Sequence, residues 1–231
     1  RAQAPGAPAL DAGIDIEQLG DQGYAIHAGS RDGNCCVTIT AATARGILYG
    51  AYGLLEKLGV GFYLGGDTFP DEKVSAALSH DFRTIQQPAF AVRGNLIHDN
   101  ALIGITTWGL KDYQFYFNQL AHMRCNTFVA MCYCDQSGEV WDEHDGRFLG
   151  YQPLMSSLTG PWRAIDALRT SQFSFGTADY FDEEIFSRPA VERTDDPIAQ
   201  RKEAGRVLAE ATRYAARFGI GVAAGFEAPG G

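Results

Sequence analysis

The sequence is informative first through what it has little of. No apolar run approaches the roughly 20 residues needed to cross a bilayer as a helix, so no membrane span is predicted. Basic residues are few, with 19 Lys and Arg against 28 Asp and Glu and a formal charge of −9. Phosphate contacts from basic residues dominate nucleic-acid binding, so this balance argues against a nucleic-acid partner.

Nucleotide and metal motifs are missing as well. The Gly-rich stretch Gly59–Gly66 follows a predicted helix instead of opening one, and no Gly-x-x-x-x-Gly-Lys-Ser/Thr loop occurs. No His-Glu-x-x-His or Cys-x-x-Cys spacing is present, and the acidic run Asp142–Asp145 is more typical of a solvated turn than of a metal site. No metal and no cofactor is therefore predicted. Buried thiols acting as small apolar residues are predicted at Cys35, Cys36, Cys125, Cys132 and Cys134.

The first 86 residues predict a β-β-α-β unit. Two strands flank Asp32-Gly33, a dipeptide typical of hairpin turns. A helix is predicted from Thr43 to Leu58, ending at Gly59 in the left-handed conformation, and a short strand follows at 60–64. Helical spacing predicts that one continuous apolar face carries Ile47, Ala51, Leu54, Leu55 and Leu58.

A second pattern begins after Pro88. The order is β-α-β-α-β, with a long irregular segment at about 135–196. Long helices between strands predict a parallel sheet with right-handed crossovers. Three parallel strands leave two open edges, so we expect the rest of the sheet in a longer chain or in a partner chain. The predicted strands are 91–97, 127–133 and 220–226, and the helices are 110–124 and 197–218.

Two stretches resemble a known group of enzymes. Ala44–Tyr63, with its Arg-Gly-Ile-Leu-Tyr-Gly and Leu-Gly-Val segments, resembles the accessory domain that precedes the catalytic barrel in β-N-acetylhexosaminidases and α-glucuronidases. Phe90–Gly94, Trp108, Asp112-Tyr113 and His122–Asn126 resemble the barrel entry of the same enzymes. His98-Asp99-Asn100 is faintly similar to an α-glucuronidase stretch, although the Trp of that stretch is absent. Together the resemblances cover about half of the chain.

The resemblance implies a fold, a domain division and an activity. It implies an α+β accessory domain of zincin-like shape over 1–86, and an α/β region over 87–231 that forms the first three βα units of a truncated TIM-type (β/α)8 barrel. The implied activity is hydrolysis of O-glycosyl bonds in an oligosaccharide or glycoconjugate, with a carbohydrate as substrate. The main catalytic acids are expected beyond Gly231, so this segment alone is expected to be inactive.

Candidate substrate-binding residues follow from the barrel rule that sites collect at the carboxyl ends of strands. A carboxylate accepts several hydrogen bonds from sugar hydroxyls, and an aromatic face suits the apolar face of a pyranose. The alternatives are loop carboxylates that face water and aromatic side chains that form a small core of the long segment. The predicted residues are His98, Asp99, Asn100, Tyr133, Asp135, Trp141 and Glu227.

Two other functional classes remain open. One is a carbohydrate-binding or degenerate barrel protein without catalytic acids. The other is an open-sheet α/β enzyme, which would bind its ligand where the strand order reverses. The small residues of Arg1–Pro8 are typical both of what remains after signal-peptide cleavage and of a disordered terminus; the first favours a secreted or periplasmic location.

Overall fold

A computed structural model of the chain describes residues 13–31, 34–72, 78–79, 82–98, 108–132, 139–141, 148–151, 177–179, 181–187 and 197–226. The chain divides into two compact units. The first comprises Arg1–Arg93 together with Gln119–Cys125, and the second comprises Gly94–Asn118 and Asn126–Gly231.

The first unit is an α+β structure around a three-stranded antiparallel sheet. Its central strand pairs with the other two, in the order β2-β1-β5. Tyr24 and Ile26 of the central strand form a buried core with Tyr49 of the helix. A separate antiparallel hairpin is formed by β3 and β4. The elements are β1 (Tyr24–Arg31), β2 (Asn34–Thr40), α1 (Ala44–Lys57), β3 (Gly61–Tyr63), β4 (Gly66–Thr68) and β5 (Arg83–Gln86).

Helix α1 begins and ends as the sequence predicts. The Thr43 side chain accepts a hydrogen bond from the Gly46 N–H at 3.1 Å, which satisfies one of the amides that lack a partner at a helix start. Gly59 has φ 91°, a conformation available to glycine without the steric cost that a Cβ brings. The predicted helix and its left-handed end are therefore confirmed.

The buried face of α1 agrees with the predicted apolar face only in part, because Leu54 packs against the core but two other predicted residues are exposed. Ile47 and Leu55 are 42% and 40% exposed. The buried helix residues are instead Gly46, Tyr49, Gly50 and Gly53. A Cβ at Gly50 would overlap the Ile39 side chain, and one at Gly53 would overlap the Tyr24 ring and hydroxyl. The helix approaches the sheet along its glycines because no side chain stands between the two backbones.

A second correction concerns the strand after α1. The order β-β-α-β is present along the chain, but β3 pairs with β4 and not with the sheet of β1. The third strand of that sheet is β5, which pairs with β1 from Tyr24↔Gln86 to His27↔Arg83. The Tyr24 hydroxyl also donates a 2.5 Å hydrogen bond to Gln86 Oε1.

An arginine pair ties the segment Gln119–Cys125 into the first unit. The Arg93 guanidinium donates to the Arg124 carbonyl oxygen from Nε and from a terminal nitrogen, at 3.2 and 2.8 Å. The Arg124 guanidinium forms a two-point ion pair with Glu56, at 2.8 and 2.9 Å. Arg124 has φ 60°, a left-handed conformation that costs a residue with a Cβ about 1 kcal/mol or more. These contacts hold the residue in that conformation.

The second unit is an α/β structure. Its three-stranded sheet is entirely parallel in the order β10-β7-β6, and a separate antiparallel hairpin is formed by β8 and β9. The hairpin lies within the segment predicted to be irregular, so that prediction is corrected there. The elements are β6 (Gly94–His98), α2 (Leu110–His122), β7 (Thr127–Cys132), β8 (Glu139–Trp141), β9 (Phe148–Tyr151), α3 (Pro197–Ala216) and β10 (Gly221–Phe226). Residues of α2 from Gln119 onward belong to the first unit.

Both helices of the second unit cover the same face of its sheet. The rings of Tyr116 and Phe117 in α2 meet the buried ring of Phe128 in β7 at 5.7 and 5.2 Å between centroids. The Tyr214 hydroxyl of α3 donates to Asn118 Oδ1 of α2 at 2.8 Å. The pairing of the three strands is parallel, as predicted. One face of the sheet is packed by aromatic side chains of α2.

The opposite face of this sheet is less covered. Side chains alternate between the two faces along a strand, so Val129, which follows Phe128 in β7, points away from the helices, as do its partners in the neighbouring strands. Leu96, Val129 and Ala223 lie level with one another across the three strands. Leu96 is 47% exposed and Ala223 is exposed. A parallel sheet is normally covered on both faces, and the described residues cover this one well on only one face.

Candidate functional site

The three parallel strands end at one edge of their sheet. His98 of β6 pairs with Met131 of β7, which in turn pairs with Gly225 of β10. Because neighbouring strands lie about 4.8 Å apart, the outer two strand ends are about 10 Å apart. The loops that follow these ends are where ligand sites form in α/β sheets and barrels.

The sequence-predicted site residues fall largely outside the described residues. His98 is the last residue of β6 and Trp141 is the last residue of β8, with only their backbones described. The others lie outside the described part of the chain: Asp99, Asn100, Tyr133, Asp135 and Glu227. Their grouping at a sugar site therefore stays a prediction.

A buried carboxylate lies at the start of α2. Asp112 is 3% exposed. Its Oδ2 accepts the Gly109 N–H at 2.8 Å, and its Oδ1 accepts the Ser187 N–H at 3.0 Å. The hydrogen bond from the Gly109 N–H is one half of a capping box. In that motif an acidic side chain at the third helical position accepts the backbone N–H of the residue just before the helix.

Burial raises the pKa of Asp112, although the amides of Ser187 and Gly109, the Thr177 side chain and the Lys111 charge oppose that rise. Raised carboxyl pKa values occur at catalytic sites and also at buried carboxylates with a structural role. Here both oxygens already accept backbone amides and the side chain is closed to solvent. A general acid must reach the atom that it protonates, so the geometry assigns Asp112 to positioning.

The segment that bonds to Asp112 is fixed to α2 by further contacts. The Lys111 N–H donates to Ser187 Oγ at 3.0 Å, and the Lys111 ammonium donates to the Glu183 carbonyl oxygen at 2.9 Å. The ring of Phe186 lies 4.9 Å from that of Phe115 and 5.5 Å from that of Phe181. These rings pack against one another, although Phe181 is 65% exposed.

Trp108, beside the same helix start, also packs internally. Its ring lies 5.3 Å from Tyr113 and 5.2 Å from Tyr116. Edge and tilted arrangements of this kind are favourable aromatic packing. Trp108 therefore supports the start of α2 as a packing residue.

The first unit contains a histidine-carboxylate pair. His122 Nδ1 lies 3.0 and 3.1 Å from the two oxygens of Asp67 and 3.0 Å from Gln119 Oε1. The imidazole packs against Tyr52 and Phe62, at 4.9 and 5.2 Å between ring centroids. Sequence patterns did not reveal this pair, because its members are 55 residues apart. The contacts join the β3–β4 hairpin to the end of α2.

Metal and thiol chemistry find little support in the part of the chain that is described. No group of three His, Cys, Asp or Glu side chains there could hold a metal ion. Cys35 is exposed, so the prediction of a buried thiol is wrong at that position. Cys125 is partly buried, and burial raises the pKa of its thiol, which disfavours the reactive thiolate. Across the described residues, no helix is both long and apolar enough to cross a bilayer.

Comparisons with known proteins show a similarity to a solved structure. No protein-family model matches the chain, and no curated protein matches it significantly. A solved structure of a GH20 beta-N-acetylhexosaminidase from Streptomyces coelicolor A3(2) is similar to 89% of this chain, with a TM-score of 0.46 and 17% identity. The chain spans 31% of that enzyme's length. A similarity of this size does not by itself establish a common fold.

Proposed function

We propose that the chain is the amino-terminal region of a glycoside hydrolase, with an accessory domain over 1–86 and the start of a (β/α)8 barrel over 87–231. Its substrate is an oligosaccharide or glycoconjugate whose O-glycosyl bonds are hydrolysed. The proposal is supported by the motifs within Ala44–Tyr63 and Phe90–Asn126 and by the geometry of the parallel sheet.

The observation that carries the proposal is the one-sided parallel sheet. Strands β6, β7 and β10 follow one another in the sheet as they do in the chain, and α2 and α3 cover one face. The other face carries Leu96 at 47% exposure. In a closed barrel that face becomes the interior and is filled by side chains from the remaining strands. Closure would therefore bury the exposed row and pair both open edges.

The same observation weighs against an open doubly wound sheet. Ligands bind in such sheets where the strand order reverses and helices change face. Strands β6, β7 and β10 show no reversal, and the bond between Tyr214 and Asn118 keeps both helices on one side. The described sheet thus lacks the switch point on which an open-sheet site depends.

In this proposal the sugar is bound at the carboxyl ends of β6, β7 and β10, which lie side by side. The residues that follow β6 are Asp99 and Asn100, the residue that follows β7 is Tyr133, and the residue that follows β10 is Glu227. These, with His98, Asp135 and Trp141, would supply hydrogen-bond acceptors and an aromatic face for a pyranose. The acid and the base or nucleophile of hydrolysis would come from strands after Gly231, because a glycosidase needs two carboxyl groups flanking the scissile bond.

The test is hydrolysis of chromogenic glycosides. The chain is compared with a longer version that includes the sequence following Gly231 in its natural protein, using N-acetylglucosaminide and glucuronide substrates among others. We expect turnover in the longer protein and none in this chain. In the longer protein, Glu227→Gln should raise KM, whereas Glu72→Gln, on an exposed carboxylate of the first unit, should leave KM unchanged.

A carbohydrate-binding protein without catalytic acids is the second candidate. It is favoured if the folded longer protein hydrolyses none of the glycosides but binds one of them by calorimetry. Absence of both turnover and binding in a folded longer protein would contradict both proposals.

A further inference from the structure

We propose that Asp112 is a positioning residue that fixes part of the long loop after β7 beside the carboxyl ends of the parallel strands, where it forms one wall of the ligand site. The inference deepens the proposed function and rests on it for the identity of the ligand, a carbohydrate. The anchor itself rests on geometry alone.

The carboxylate joins two loops that the sequence separates widely. Gly109 belongs to the loop from β6 to α2, and Ser187 belongs to the loop from β7 to α3, 75 residues from Asp112. One oxygen accepts the amide of the first loop and the other accepts the amide of the second. A side chain with two acceptor oxygens is required, because both partners donate.

The position of this anchor gives it a functional meaning. A helix between parallel strands runs back along the sheet, so the start of α2 lies toward the carboxyl ends of the strands. The loops joined by Asp112 follow β6 and β7, and both carry predicted sugar-binding residues, including Asp99 and Asp135. Fixing Gly109 and Ser187 to one carboxylate places residues 181–187 beside the start of α2.

Further contacts hold the anchored segment against the start of α2. Ser187 also accepts the Lys111 N–H through its hydroxyl and the Ala178 N–H through its carbonyl oxygen, both at 3.0 Å. Phe186 packs on Phe115 one helical turn beyond Lys111. Removing Asp112 would therefore release the amides of Gly109 and Ser187 and leave the contacts of Lys111 with Ser187 and of Phe115 with Phe186.

Amide hydrogen exchange of the chain tests the anchor directly. Asp112→Asn keeps one acceptor oxygen, and Asp112→Ala keeps none. We expect exchange in residues 177–187 to be about tenfold faster in Asp112→Ala than in the wild type, with Asp112→Asn between them. Exchange in α3, in the same unit, should not change, and Glu184→Gln should match the wild type.

Two exchange results would overturn the anchor. One is unchanged exchange at 177–187 in Asp112→Ala. The other is faster exchange in α3 by the same factor, since that would assign Asp112 to general stability. If Asp112→Ala does not fold, the comparison of Asp112→Asn with Glu184→Gln decides the question by the same criteria.

Kinetics of the longer protein test the link to the ligand. A positioning role predicts that Asp112→Asn raises KM for a cleaved glycoside several-fold while kcat changes less than twofold. A loss of kcat at unchanged KM would overturn that role. If the wild type neither cleaves nor binds any glycoside, the proposed function fails. The anchor is then judged by the exchange result alone.

Discussion

Glycines in α1 and α3 allow one substitution, glycine to alanine, to be predicted with opposite effects on stability at two sites. In an exposed helix interior, replacing glycine with alanine stabilises a protein by about 0.5–1 kcal/mol, because alanine loses less conformational freedom on folding. Gly205 in α3 has no atom within 4 Å of the position a Cβ would take. Gly205→Ala should therefore raise the free energy of unfolding by about that amount.

Gly53→Ala should do the reverse. A Cβ there would overlap the Tyr24 hydroxyl and approach Cζ and Cε2 of its ring at 2.7 and 3.0 Å. Tyr24 is buried and its hydroxyl is bonded to Gln86, so the ring cannot move without losing packing or that bond. Overpacking costs about 1–3 kcal/mol, which outweighs the helix gain. The expected net loss is about 1–2 kcal/mol.

Urea denaturation followed by circular dichroism measures both changes, with each unit's transition fitted separately. Tyr24→Phe supplies a further check because it removes the oxygen that the new Cβ would overlap. Gly53→Ala should destabilise the protein less in the Tyr24→Phe background than in the wild type. The difference between the two costs is the coupling energy of the pair. Equal stabilisation by Gly53→Ala and Gly205→Ala would refute the close approach of α1 to the sheet.

The remaining predictions concern Arg124 and Asp112. Both Arg124→Ala and Arg124→Gly remove the ion pair with Glu56, but glycine adopts φ 60° without strain, so Arg124→Gly should be the more stable variant by about 1 kcal/mol in urea denaturation. Equal stabilities would show that the left-handed conformation is not strained. Burial raises the pKa of Asp112 above the 3.8 of an unperturbed carboxyl, so its contribution to stability is fully present below that value and is lost as the pH rises through the folded-state pKa. Asp112→Asn does not ionise, so its urea midpoint relative to that of the wild type should rise as the pH rises above 3.8. A difference in midpoint that is flat or falls with pH would contradict this.

Sequence patterns predicted the long elements because local signals define them. Thr43 and Gly59 mark the two ends of α1, and apolar runs mark β7 and β10. Strand β5 was missed because Arg83–Gln86 is short and mostly polar, and only its pairing with β1 makes it a strand. Its assignment depends on contacts between residues 62 apart, which no local window contains.

The buried face of α1 was predicted only in part, for a different reason. Hydrophobic periodicity ranks positions by the apolar character of their side chains, and glycine has none. Ile47 and Leu55 therefore marked the predicted face, whereas Gly50 and Gly53 allow the closest packing. Small residues at helical spacing next to a tyrosine are the signal that would have found it.

Only one of the two hydrogen bonds of Asp112 has a signal in the local sequence. An acidic residue three positions after Gly109 fits a capping box, and this local signal was available in the sequence. The second partner, Ser187, lies 75 residues away in a segment without periodic pattern. Long-range polar contacts of this kind leave no regular spacing behind, so sequence reasoning found the helix start but not the loop that it holds.

The position of β1 in its sheet has a consequence for folding kinetics. Its hairpin partner β2 follows it directly, whereas its other partner β5 comes only after α1 and the β3–β4 hairpin. Local pairings form faster than distant ones, so the β1–β2 hairpin should form early, with the other edge of β1 open until β5 arrives. An open strand edge can pair with another chain, so aggregation during refolding should depend on how quickly Arg83–Gln86 closes that edge.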